Sequence, residues 1–126
     1  MAKARVLVID DEENITSLLK SYLESAGGYE VRTENSGQKG YEAVTQFKPD
    51  LILLDIMMEG LAGDTFAAKL KADPAHHNIP IVFLTGIVTR EEVSAQGGVI
   101  AGYPYLTKPV LIEELMRCIE LNLTKH

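Results

Sequence analysis

Three four-residue runs, Val6-Leu7-Val8-Ile9, Leu51-Ile52-Leu53-Leu54 and Ile81-Val82-Phe83-Leu84, are apolar at every position and lie far apart in the chain. A strand with one wet face alternates between apolar and polar residues. A strand that is apolar in both phases is buried on both faces, as in a parallel sheet covered by helices on either side. Two weaker strand signals, at 29–33 and 105–107, are shorter or more polar and suit sheet edges. Pro104 suits the first residue of an edge strand, where a missing N–H is tolerated.

The gaps between these runs read as helices. Over 12–26, Ile15, Leu18, Leu19, Tyr22 and Leu23 recur at helical spacing, and Gly27-Gly28 supply the stop. Ser36 is placed to cap a second helix with Gly40, Val44 and Phe47 inward and Pro49 at its end. A third helix is predicted over 64–72, with Phe66, Ala67 and Leu70 inward. Thr89-Arg90-Glu91-Glu92 has the form of a capping box, opening a fourth helix that Gly97-Gly98 soon interrupts. From Leu111 onward, Leu115, Cys118, Ile119 and Asn122 form a last amphipathic stripe. Strand–helix alternation repeated five times implies a parallel sheet with right-handed crossovers and helices on both faces.

Composition bounds the rest. At 126 residues the chain is expected to be one domain, 1–126, with enough length for a core of its own. A net charge of −6 argues against direct binding of nucleic acid or of an anionic membrane surface. The single cysteine, Cys118, excludes an internal disulfide and suits a reducing compartment. The four-residue run after Arg5 is too short for a secretory core of about 7–15 residues. A cytoplasmic location is the expectation.

In open sheets of this class, ligands bind beyond the carboxyl ends of the strands. The polar residues at or near those ends are Asp10-Asp11, Asp55, Thr85 and Lys108. Singly, each has an ordinary explanation: an acidic helix start, a turn hydroxyl, a solvated amine. Together they describe a site. Three carboxylates gathered at one edge repel one another unless a cation sits among them. Oxygen ligands without histidine or thiolate select a hard divalent ion such as Mg²⁺. A hydroxyl and an ammonium facing that ion match the remaining oxygens of a phosphoryl group. Phosphoryl transfer asks a protein mainly for positioning and charge neutralisation. Asp55, at the end of a buried run, is the centrally placed nucleophile.

The segments Val8-Ile9-Asp10-Asp11-Glu12, Leu53-Leu54-Asp55-Ile56-Met57-Met58, Leu84-Thr85-Gly86 and Tyr105-Leu106-Thr107-Lys108-Pro109 resemble the receiver domain of two-component response regulators, the chemotaxis-regulator type included, in order and spacing over essentially the whole chain. The resemblance implies a flavodoxin-like, doubly wound, five-stranded parallel sheet in the order 2-1-3-4-5. It assigns Asp55 as phosphoacceptor. Asp11, Asp55 and the Met57 carbonyl would be ligands of Mg²⁺ (or Mn²⁺), with Asp10 acting through a water. It makes Thr85 the switch hydroxyl, Lys108 the phosphate-binding lysine and Tyr105 the switch aromatic, and it implies a cis bond before Pro109. Three features depart from the family. Glu59 replaces a usual proline, Ala62 stands where an acidic residue is common, and Ala101-Gly102-Tyr103-Pro104-Tyr105 is one residue short after its glycine.

The implied partners are a sensor histidine kinase or phosphotransfer protein as donor. The downstream effector would be met through the fourth helix, fifth strand and last helix. A phosphorylation-dependent homodimer is compatible with the family, and the domain would not be an enzyme beyond its own phosphorylation and dephosphorylation. Nothing follows the last helix in the sequence, so no nucleic-acid-binding or enzymatic output is expected. The competing reading is an Mg²⁺-dependent phosphohydrolase with an aspartyl nucleophile, but its second Asp two residues on is here Met57. A flavin or nucleotide carrier would need a phosphate-cradling loop where Asp10-Asp11 stand. His76-His77 lack a further ligand, Cys118 reads as a core residue, and Met57-Met58 read as packing against the sheet. The resemblance also implies that the residues two after the phosphoacceptor and two after the switch hydroxyl, here Met57 and Ile87, flank the path of the hydrolytic water; both are apolar, so hydrolysis of an acyl phosphate is expected to be slow.

Overall fold

The computed structural model describes residues 3–123 except 59, 87, 88, 96, 98 and 101. Glu59 and Ile87, which bear on the loop after Asp55 and on hydrolysis, therefore lie outside the described residues, as do Gly98 and Ala101. In chain order the elements are β1 (Ala4–Ile9), α1 (Glu13–Ala26), β2 (Tyr29–Glu34), α2 (Gly37–Phe47), β3 (Leu51–Asp55), α3 (Gly63–Lys71), β4 (Ile81–Thr85), α4 (Arg90–Ala95), β5 (Val99–Ile100), β6 (Tyr103–Thr107) and α5 (Ile112–Leu123).

The sheet runs β2-β1-β3-β4-β6-β5. Its first five strands are parallel, so the expected order and fold class hold. The sixth strand goes beyond the sequence pattern. After α4 the chain turns at Gly97 (φ 69°), and Val99 and Ile100 pair antiparallel with Pro104 and Tyr103 through a turn with Gly102 at φ 86°. Positive φ is inexpensive only at glycine, which is why the reversals fall there. β6 accordingly starts at Tyr103 rather than Pro104 and is covered by β5 instead of forming the edge.

The continuous apolar runs serve two cores because successive side chains point to opposite faces. Val6, Val8, Leu51, Leu53, Val82 and Leu84 pack with Leu19 and Leu23 of α1 and Leu115 and Ile119 of α5. Leu7, Ile9, Ile52, Leu54 and Phe83 pack with Val44 and Phe47 of α2 and Phe66 and Leu70 of α3. Fully burying each such side chain is worth about 1.5–3 kcal/mol, which makes the central strands the rigid platform for whatever stands at their ends. Leu18, expected on the inner stripe of α1, is 42% exposed, because Leu19 and Leu23 define the buried line and Leu18 falls beside it.

Side-chain caps mark the starts of α2 and α4. Ser36 Oγ accepts from Lys39 N at 3.2 Å. Thr89 and Glu92 cap α4 reciprocally: Thr89 Oγ1 accepts from Glu92 N at 3.2 Å, and Thr89 N donates to Glu92 Oε1 at 3.4 Å. At Gly63 a Cβ would meet the Asp55 carbonyl and Ile56 Cα at 2.6 Å, so the start of α3 lies directly against the end of β3.

Candidate functional site

β1, β3, β4 and β6 are neighbours, so the residues that end or follow them share one edge of the sheet. Asp10 follows β1, Asp55 and Thr85 close β3 and β4, and Lys108 follows β6. Carboxylate oxygens of Asp10, Asp11 and Asp55 lie within 4.8 Å of one another. Asp10 and Asp55 are 0% and 3% exposed, whereas Asp11 is open to solvent.

Lys108 reaches into this cluster. Its Nζ is 2.7 Å from Asp10 Oδ2, 3.2 Å from Glu12 Oε1 and 3.5 Å from Asp55 Oδ2. Burial alone would lower the Lys108 pKa, but the hydrogen bond and charge of Asp10, with Asp55 and Glu12, hold it above its ordinary value. Burial pushes the Asp55 carboxyl up to about 6. The Met57 N–H opposes that rise, Asp10 adds to it, Lys108 opposes it and Asp11 adds to it. The site thus holds more negative charge than one ammonium balances, on all-oxygen donors. Such a donor set fits a hard divalent cation.

The backbone fixes these groups. Met57 N donates to Asp55 Oδ1 at 3.1 Å, and Glu12 N donates to Asp10 Oδ1 at 2.9 Å. Ile56 N donates to the Leu84 carbonyl at 3.1 Å, and Lys108 N donates to the Thr85 carbonyl at 2.8 Å. Asp10, Asp11, Asp55 and Lys108 therefore meet as the sequence predicts, and buried Thr85 stands on the strand beside them. The Lys108–Pro109 bond is cis, as the resemblance implied.

One residue differs from expectation, and a second adds a detail the sequence does not carry. Met57 meets Asp55 through its N–H while its side chain is 61% exposed, so only Met58 of the pair packs into the core. Tyr105 is already half-buried, its ring 5.2 Å from that of Phe83, which also takes Tyr103 edge-on at 5.0 Å. Sequence reasoning gave no role to Glu12, although it directly follows Asp10-Asp11, nor to Asn35, whose Nδ2 donates to the Asp10 carbonyl at 2.9 Å and to Thr16 Oγ1 at 3.1 Å. His76 is held by Asp73, Nδ1 to Oδ2 at 2.9 Å, in the α3–β4 connection. A groove of about 380 Å³ between Lys71, Ile81, Tyr103 and Asn122 shares no residue with the acidic pocket.

Residues 6–120 match the family model described as the response regulator receiver domain. The chain belongs to that family. The receiver is 37% identical over 123 residues to the transcriptional regulatory protein RprY of Bacteroides fragilis, covering 98% of this chain and 50% of RprY. It is 40% identical over 107 residues to the response regulator PleD of Caulobacter vibrioides, covering 85% of this chain and 23% of PleD. The receiver thus spans half or less of these relatives' lengths. Among solved structures it is similar to the chemotaxis response regulator CheY4 of Vibrio cholerae, with TM-score 0.81, 27% identity and coverage of 96% of this chain and 99% of the other. It is also similar to the N-terminal domain of a receiver protein from Methanoculleus marisnigri, with TM-score 0.70, 36% identity and coverage of 92% and 93%. As a receiver, the chain has a phosphoacceptor signalling role.

Proposed function

We propose that Asp55 is the phosphoacceptor and that the acidic pocket loads Mg²⁺ (or Mn²⁺) to support phosphorylation. The observation that carries this reading is the convergence of three carboxylates on one another with Lys108 Nζ beside Asp10 and Asp55. Asp11, Asp55 and the Met57 carbonyl would hold the cation, with Asp10 acting through a water. A bound divalent ion supplies charge neutralisation for the carboxylates and for the incoming phosphoryl oxygens. Asp55 Oδ1 is engaged by Met57 N–H, and Oδ2 faces Lys108. Transfer forms an O–P bond on Asp55 as the donor's N–P bond breaks, and the donor imidazole recovers a proton. Lys108 then pairs with a phosphoryl oxygen, and the Thr85 hydroxyl takes another.

The donor is a histidine kinase or phosphotransfer protein. The effector meets the face built from α4, β6 and α5, where a shift of Thr85 would be felt by Tyr105. Residues 1–126 act as one receiver domain, which is not an enzyme in its own right and works in the cytoplasm; no helix among the described residues is long and apolar enough to cross a membrane. The phosphohydrolase alternative is disfavoured, because Met57 offers no acid where that mechanism needs one.

The test is incubation with a small phosphodonor with and without Mg²⁺, read by intact mass. One phosphoryl group, acid-stable and base-labile, is expected only with Mg²⁺. Equal labelling of Asp55→Asn would overturn the assignment.

A further inference from the structure

The β1–β2 ladder ends at the pair Ile9 and Glu34, so the Asp10 carbonyl lies one step beyond the last backbone register. Its partner there is a side chain. Asn35 Nδ2 donates to the Asp10 carbonyl at 2.9 Å and to Thr16 Oγ1 at 3.1 Å. Thr16 is buried, and its hydroxyl donates its single proton to the Glu13 carbonyl at 3.1 Å. Both partners of Asn35 can therefore only accept, which identifies the nitrogen of the carboxamide and commits both of its protons. Asn35 so ties the turn after β1 to the first turn of α1.

That turn carries two of the three carboxylates that converge within 4.8 Å. Mutual repulsion pushes the Asp10–Asp11 turn outward, and Asp11, already exposed, yields to it most readily. We propose that Asn35 is a positioning residue for the metal site: its hydrogen bond to the Asp10 carbonyl holds the Asp10–Asp11 turn where both carboxylates face Asp55. This inference rests on the metal-dependent phosphoacceptor reading. Partners that orient metal ligands are commonly worth 10–100-fold in metal affinity.

The test uses the full chain and Mg²⁺ alone, titrated by calorimetry, with Asn35→Leu as an apolar variant of similar volume and Asn35→Ala as a smaller one. Both are expected to weaken Mg²⁺ binding roughly tenfold. The Mg²⁺ concentration for half-maximal phosphorylation should rise by the same factor, with full labelling recovered at saturating Mg²⁺. Amide exchange of the metal-free variants should quicken at Asp10, Asp11 and Glu12 while β3 and β4 stay protected. Affinity within twofold of wild type in both variants would overturn the inference and leave the phosphoacceptor reading standing. Weakened binding with loss of protection throughout β3 and β4 in both would show a general structural role and overturn it equally. A wild type that binds no Mg²⁺ would remove the reading itself and the inference with it.

Discussion

Lys108 Nζ sits 2.7 Å from Asp10 Oδ2, nearer than the 3.5 Å that separates it from Asp55. In this state the ammonium chiefly neutralises Asp10 rather than Asp55. It occupies the same field that a divalent cation would. Lys108→Met should therefore raise Mg²⁺ affinity several-fold, because a competing positive charge is gone. The same variant should lower metal-free stability, since Asp10 and Asp55 lose their cation while buried. Calorimetry and denaturant unfolding check the two halves.

Asp55 gives a pH dependence with a definite sign. Its folded pKa is about 6, above the ordinary aspartate value, so the folded protein binds that proton more tightly than the unfolded chain. This contribution to stability is complete below about pH 4, the ordinary aspartate range, and is lost as pH rises through the folded value. Metal binding, which needs the carboxylate, runs the other way. Metal-free Asp55→Asn should consequently be more stable than wild type at pH 7.5 and indistinguishable from it near pH 4. A wild type whose Mg²⁺ affinity is flat between pH 5 and 8 would contradict the assignment.

Gly63 sets the position of Asp55 from behind. A methyl group there meets the Asp55 carbonyl and Ile56 Cα at 2.6 Å, both backbone atoms that cannot rotate away. Gly63→Ala should cost about 1–3 kcal/mol, as overpacking does, and slow phosphorylation of Asp55 at saturating Mg²⁺. Unfolding midpoints and labelling rates measure the two effects. Gly60→Ala is the contrasting case: among the described residues, chain neighbours aside, no atom lies within 4 Å of a Cβ placed there, but φ is +79°, so strain alone should act.

Signal output should follow a population shift. Tyr105 is half-buried against Phe83, and a phosphoryl group drawing Thr85 inward would alter the space beside that ring. Amide exchange with a phosphoryl analogue bound should change in β6 and α5. Changes confined to α2 would count against this route.

The phosphoryl lifetime is expected to be long, because Met57 brings no group that orients water. Met57→Asn should accelerate dephosphorylation, and the exposure of this side chain means the change acts on the entrance to the site rather than on packing. Loss of label followed by mass under one Mg²⁺ concentration would test it. An unchanged rate would show that water reaches the phosphorus by a path this residue does not line.

The parallel sheet and the gathering of Asp10, Asp11, Asp55 and Lys108 at one of its edges were legible in the chain because they follow from local signals, whereas the strand order came from the family resemblance. Runs apolar in both phases must be buried on both faces, and the first polar residues after adjacent parallel strands must fall on one edge. Capping by Ser36 and by Thr89 with Glu92 was readable for the same reason, since donor and acceptor lie within one turn. What remained hidden depends on contacts between distant segments or on backbone groups that leave no trace in residue type. Asn35 acts on a carbonyl 25 positions away, and Lys108 meets Glu12 across 96. The pairing of Val99-Ile100 with Tyr103-Pro104 required positive φ at Gly97 and Gly102, which the glycines permit but do not compel. Residue types set which faces are buried and where charge collects. Tertiary packing decides which of those charges touch, because only it sets distances of a few ångströms, over which Coulomb and hydrogen-bond energies are won or lost.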